Sequence, residues 1–123
     1  MEKGDVFTSR ELLITQDFIN RFAEFSGDFN PIHVNEEFAK KAGLGGTIAH
    51  GVIMLQYLTE LLEEKFGENF SFGVKFVKPA RPGDTVFAKI TIEDTCSGIR
   101  FKAAVEDTSG ETHVAGEGTA GTR

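Results

Sequence analysis

The sequence predicts an α+β domain in which an antiparallel sheet curls around one long helix. Two observations carry this. From Gly51 to about Phe66, the residues Val52, Ile53, Met54, Leu55, Tyr57, Leu58, Leu61, Leu62 and Phe66 leave almost no polar face in the first turns, which marks a buried helix. After Gly67 the apolar period switches to two: Phe70, Phe72, Val74 and Phe76, then Val86, Ala88, Ile90 and Ile92, then Ile99, Phe101, Ala103 and Val105. Strands joined in succession by short turns pair antiparallel, and their shared apolar face needs the helix as its cover. No repeat, low-complexity tract or linker divides residues 1–123, so a single domain is expected.

The remaining elements follow in order. Residues 5–14 alternate loosely and suggest a short first strand. Thr15 has the character of a helix N-cap, with Asp17 in the first turn where the helix dipole favours an acid. Phe18, Ile19, Phe22 and Phe25 then recur at helical spacing until Ser26-Gly27 stops the helix. Asn35 is a second cap, followed by Glu36 and Glu37, with Phe38 as the one large apolar anchor and Gly43 as the end. Glu60, Glu63, Glu64 and Lys65 give the long helix its solvated end, and Gly67 terminates it. Pro79-Ala80-Arg81-Pro82-Gly83-Asp84 breaks the strand pattern, and Thr108-Ser109-Gly110 predicts a hairpin turn into a last strand near 111–120.

Composition excludes several classes. A formal charge of −6 argues against a nucleic-acid binder. No apolar run reaches the ~18 residues needed to cross a bilayer, so no membrane partner is expected. The N-terminal Met-Glu-Lys-Gly-Asp lacks the basic and apolar segments of a signal peptide, and the single cysteine, Cys96, permits no internal disulfide. A cytoplasmic protein is expected, with Cys96 an incidental residue of a turn. Twelve Phe against one Tyr and no Trp suit apolar walls, in the core or around a greasy ligand.

Chemistry concentrates in Ser26-Gly27-Asp28-Phe29-Asn30-Pro31-Ile32-His33 and in Ala49-His50-Gly51. Pro31 removes a donor and biases Asn30 toward extended backbone, so Asp28 and His33 are expected on a rigid, non-helical loop. A carboxylate and an imidazole so held suit proton transfer to and from water. Gly51, opening a helix, offers a backbone N–H backed by the positive end of the dipole, a place to stabilise developing charge on oxygen. Each residue also has a plainer use. Asp28 can cap its own turn, His33 can bond a backbone carbonyl, Asn30 can fix the loop, and His50 can cap or pack. His113 stands alone on a strand and carries no signal. No metal-ligand spacing or phosphate-cradling glycine loop is present, so no metal or cofactor is expected.

The order Gly-Asp-Phe-Asn-Pro-Ile-His, then Ala-His-Gly opening an apolar helix, then Phe-Val-Lys-Pro-Ala-Arg-Pro-Gly-Asp-Thr before a strand, resembles the MaoC-like (R)-specific enoyl-CoA hydratases and 3-hydroxyacyl dehydratases of the hot dog fold. The resemblance runs from about residue 5 to 120. It implies that Asp28 and His33 activate one water for syn addition across a trans-2-enoyl thioester, and that the Gly51 amide polarises the thioester carbonyl. It implies a loop-shaping role for Asn30, a substrate tunnel near the interface of a homodimer, and fatty-acid metabolism as the setting. His50 and Thr59 are substrate-side candidates. Thr59 stands where some members carry serine, and Thr47 where an arginine or proline is common. Lys75, Lys78 and Arg81 are candidates for the phosphates of coenzyme A or for an acyl carrier protein, and equally for solvated strand-end charges. Two rival readings stand beside it. A hot dog thioesterase would place its acid on the central helix, where Gln56 and Glu60 are the candidates. A non-catalytic acyl-thioester-binding subunit would leave Asp28, His33 and Gly51 without a purpose.

Overall fold

The computed structural model describes residues 1–121. Two short strands, β1 (Val6–Thr8) and β2 (Leu12–Leu13), stand where one was expected, and both pair antiparallel with β4 (Thr85–Asp94). Helix α1 (Gln16–Ser26) starts as its sequence predicts, with the Thr15 hydroxyl accepting from the Phe18 N–H. It ends at Gly27, whose φ of 79° is the left-handed geometry glycine adopts without a Cβ clash. Short helices α2 (Pro31–Val34) and α3 (Glu36–Lys41) lead to the long α4 (Gly51–Phe66).

Strands β3 (Phe70–Phe76), β4, β5 (Ile99–Asp107) and β6 (Thr112–Ala120) complete one antiparallel sheet in the order β1-β4-β5-β6-β3, with β2 also on β4. The period-two reading holds in detail. Val86, Ala88, Ile90 and Ile92 of β4 and Phe101, Ala103 and Val105 of β5 are all buried on one face. That face receives Ile53, Met54, Leu58, Leu61, Leu62 and Phe66 of α4. Each such side chain contributes about 1.5–3 kcal/mol when fully buried, so the helix is held by its sheet-facing stripe.

Two expectations need correction. The helix α4 is not buried all round: Val52 is half exposed and Gln56 exposed, because the sheet wraps only one side. The segment after Asp28 is not free of helix either. Pro31 sits at the first helical position, where its missing N–H has no helical partner to lose, and the Asn30 side chain accepts from the Ile32 N–H as N-cap. None of the described helices is long and apolar enough to cross a membrane.

Candidate active site

Asp28 and His33 face each other across the α1–α2 turn. Gly27 ends α1 and turns the chain, and the one turn of α2 carries His33 back toward Asp28. His33 is nearly buried, 8% exposed as a residue, and its Nδ1 lies 2.8 Å from the Ile48 carbonyl. A carbonyl only accepts, so Nδ1 carries the hydrogen and a neutral ring keeps its lone pair on Nε2. That Nε2 stands 3.9 Å from Asp28 Oδ2, too far for a direct bond. The other carboxylate oxygen, Oδ1, accepts from the Asn30 N–H at 3.2 Å. Both plain readings are therefore realised, and neither uses up the side chain. Asp28 caps its own turn with one oxygen, and His33 bonds a backbone carbonyl with one nitrogen. Each leaves its second atom facing the other residue.

His50 locks this arrangement from behind. Its Nε2–H donates to the Asp28 carbonyl at 3.0 Å, and its ring stacks on His33 with centroids 3.8 Å apart and packs at a tilt against Phe22, centroids 4.8 Å apart. Its Nδ1 is buried without a hydrogen-bond partner among the described residues. It supplies no side-chain bond as N-cap of α4. The fold thus brings ligand-type atoms of Asp28, His33 and His50 within 4.8 Å of one another, a grouping their spacing in sequence does not reveal.

Beside His33 opens an apolar cavity of about 260 Å³, lined by His33, Gly51, Met54, Phe76, Val77 and Lys78 among others. Gly51 is the first residue of α4, where amides have no intrahelical partner. The Phe76 ring closes against it, only 3.0 Å from where a Cβ would stand. An acid–imidazole pair, an apolar cavity and a helix-opening amide lie side by side.

Residues 2–115 match the family model described as MaoC like domain. The chain belongs to this family. An uncharacterised Bacillus subtilis protein, YdeM, is 36% identical over 100 residues, covering 74% of this chain and 69% of that protein. The (R)-specific enoyl-CoA hydratase of Rhodospirillum rubrum is 35% identical over 83 residues, 64% of this chain and 58% of that enzyme. Among solved structures, the (R)-hydratase from A. caviae involved in PHA biosynthesis has a TM-score of 0.80 over 100% of this chain and 98% of that one, at 22% identity. That likeness shows the fold, and the fold is the hot dog.

The remaining candidates of this MaoC-like domain scatter. Asn30 is the N-cap of α2 and shapes the loop through Ile32. Thr59 lies two turns along α4 with its hydroxyl donated to the Leu55 carbonyl, outside the cavity lining. Lys75 is exposed on β3. Lys78 is at the cavity, but its ammonium pairs with Glu111, and that bond raises its pKa. Arg81 belongs to a separate polar groove with Gln16, Glu36, Gly46 and Thr47, its guanidinium 3.4 Å from the Gly46 carbonyl. The Ile48 carbonyl, which sets the His33 tautomer, has no signal in the sequence because any residue supplies one.

Proposed function

We propose that this MaoC-like chain adds water to trans-2-enoyl thioesters, giving (R)-3-hydroxyacyl thioesters, and runs the reverse dehydration. The observation that carries the reading is the His33 Nε2 lone pair held 3.9 Å from Asp28 Oδ2 at the edge of an apolar cavity. A water about 2.8 Å from each acceptor fits such a gap, its two hydrogens toward Asp28 and His33 and its lone pair toward substrate. As the water oxygen bonds C3, the pair takes one proton and the double-bond electrons move toward the thioester carbonyl. The Gly51 N–H, with the α4 dipole behind it, stabilises that oxygen. The pair then returns the proton to C2 from the same face, so addition is syn. One water enters, no bond to sulfur breaks and no cofactor is needed.

Asn30 and His50 act by holding the Asp28 loop. Lys78, at the cavity, is the first candidate for the anionic end of coenzyme A or an acyl carrier protein, with Lys75 and Arg81 outside the cavity lining. Thr59 has no substrate role in this reading. The cavity is shallow in a single chain, and its lining residues Phe76 and Val77 are more than half exposed, as are Phe25, Phe29 and Val52 elsewhere on the surface. A second copy covering Phe76 and Val77 would complete the tunnel, which favours a homodimer. The single Cys96 fits a reducing cytoplasm.

The thioesterase alternative fares worse, since Gln56 and Glu60 are exposed and bonded to each other, away from the cavity. Crotonyl-CoA separates the readings. Loss of the enoyl absorbance with (R)-3-hydroxybutyryl-CoA formed and no free thiol is the expected result. Thiol release would mean a thioesterase, and binding without turnover a non-catalytic subunit.

A further inference from the structure

His113 on β6 is fully buried and takes no part in the chemistry above. Its Nε2 lies 2.7 Å from Asp107 Oδ2, and its Nδ1 3.2 Å from the Lys78 carbonyl. The other Asp107 oxygen accepts from the Ser109 hydroxyl, the Ser109 N–H and the Glu111 N–H. Ser109 first, and His113 next, hold this carboxyl well below the usual carboxylate range. A carbonyl and an ionised carboxylate only accept, so each ring nitrogen is placed to donate, Nε2 to Asp107 and Nδ1 to the Lys78 carbonyl.

The main chain of His113 grips the same neighbour. Its carbonyl accepts from both Val77 N–H, at 2.9 Å, and Lys78 N–H, at 3.2 Å. Val77 and Lys78 continue from Phe76 and form the cavity wall across from Gly51 and Met54. Pro79 has no N–H, and the next backbone link onward is the Ala80 carbonyl, which accepts from Ala49 at 2.7 Å. Between the end of β3 and Ala80, the main chain of the wall therefore hangs on His113, while the Lys78 side chain is tied separately to Glu111.

We propose that His113, fixed by Asp107, is a positioning residue that sets the Phe76–Lys78 wall at its distance from the Gly51 N–H and so governs how the thioester is seated. This rests on the hydratase reading of the same cavity. It concerns substrate seating and not the proton transfers, so binding and turnover should respond differently.

The test uses the whole chain. His113→Gln replaces two ring nitrogens on separate edges by one amide nitrogen, so it does not bridge Asp107 and the Lys78 carbonyl across the ring's span. With crotonyl-CoA it should raise KM about tenfold with kcat within about twofold of wild type, because small displacements of seating groups are costly. Asp107→Asn presents an amide N–H to Nε2 and lets the ring keep Nδ1–H for Lys78, so its KM should stay within about threefold of wild type. Amide hydrogen exchange at Val77 and Lys78 should quicken at least about tenfold in His113→Gln while Ile90 and Phe101 hold their rates, and in wild type these two amides should be as protected as the sheet core. Unchanged KM or unchanged exchange in folded His113→Gln overturns the proposal, as does loop-like exchange of Val77 and Lys78 in wild type, a measurement that needs no variant to fold. A wild type inert toward crotonyl-CoA would instead defeat the hydratase reading. The exchange rates alone would then decide whether His113 holds the wall.

Discussion

Two histidine–carboxylate pairs lie in the described residues, and they are built to opposite ends. Asp107 and His113 are buried, 2.7 Å apart, and every polar atom of the two side chains has a partner. Asp28 and His33 stand 3.9 Å apart, the carboxylate half exposed, with one oxygen and one nitrogen facing a gap. The first pair has no atom left with which to meet a substrate. The second is held just as firmly, by Asn30, Ile48 and His50, but through its other atoms. Rigidity is common to both, and what separates a reactive pair from a structural one is an unoccupied valence facing a cavity.

The largest expected effect breaks the second pair chemically while leaving its geometry intact. Asp28→Asn keeps an Oδ1 to accept from Asn30, so the turn survives, but the base is lost. It should lower kcat toward crotonyl-CoA about 10³-fold, the scale of general acid–base catalysis, with an unchanged melting temperature. Wild-type turnover in Asp28→Asn would remove this pair from the mechanism and erase the contrast.

Next is the amide opposite. Gly51→Pro deletes that N–H at a helix position that tolerates proline, after a His50 whose ψ of 128° already suits a following proline. It should lower kcat about 10²–10³-fold, as loss of one oxyanion donor does. Gly51→Ala keeps the N–H but presses a methyl group against Phe76, so it should act on KM instead. Equal kcat in the two variants would show that the amide stabilises nothing.

Most of the fold was legible because it depends on period and punctuation. The long helix, the strand alternation, the Thr15 and Asn35 caps and the stop at Gly27 can all be read residue by residue. Asp28, His33 and Gly51 stood out through their joint order. What escaped has a common physical cause, the dependence on contacts remote in sequence. The Asp107–His113 pair arises from register across the β5–β6 hairpin, where a shift at Val105/Glu106 brings the strand end over His113. An acid and a histidine flanking a Thr-Ser-Gly turn was the only available sign of it. Pro31 was misread because it can open a helix as readily as forbid one, and the Asn30 cap decides which.

The structural pair should show its character in stability. Asp107→Ala leaves the buried His113 Nε2–H unpaired and should cost about 1–3 kcal/mol in urea unfolding, whereas Asp28→Ala, at a half-exposed and loosely paired site, should cost less than about 1 kcal/mol. The pH dependence has a definite sign. A carboxyl held below its unfolded value stabilises the fold above the ordinary carboxylate range near 4, and that contribution drains away as pH falls toward the lower folded value. The stability advantage of wild type over Asp107→Asn should therefore narrow only below about pH 4.5. A gap that closed between pH 7 and 5 would mean that the carboxylate is not so held.

The smallest effect extends the same rule to a hydroxyl. Thr59 stands where a substrate-facing group was expected on the central helix, yet its hydroxyl is 2.8 Å from the Leu55 carbonyl one turn back. A hydroxyl bonded to its own helix has its hydrogen occupied, like the nitrogens of His113, and it does not reach the cavity. Thr59→Val is nearly isosteric, keeps a branched side chain on a partly exposed face and removes only that internal bond. Its kcat/KM toward crotonyl-CoA should stay within about threefold of wild type, since the lost bond is worth on the order of 1 kcal/mol to stability and none of it is seen by substrate. A loss of 30-fold or more, beyond about 2 kcal/mol, would mean that the hydroxyl turns to the substrate on binding. An occupied valence would then no longer mark a residue as structural, and the reasoning that separates the two histidine pairs would have to rest on burial alone.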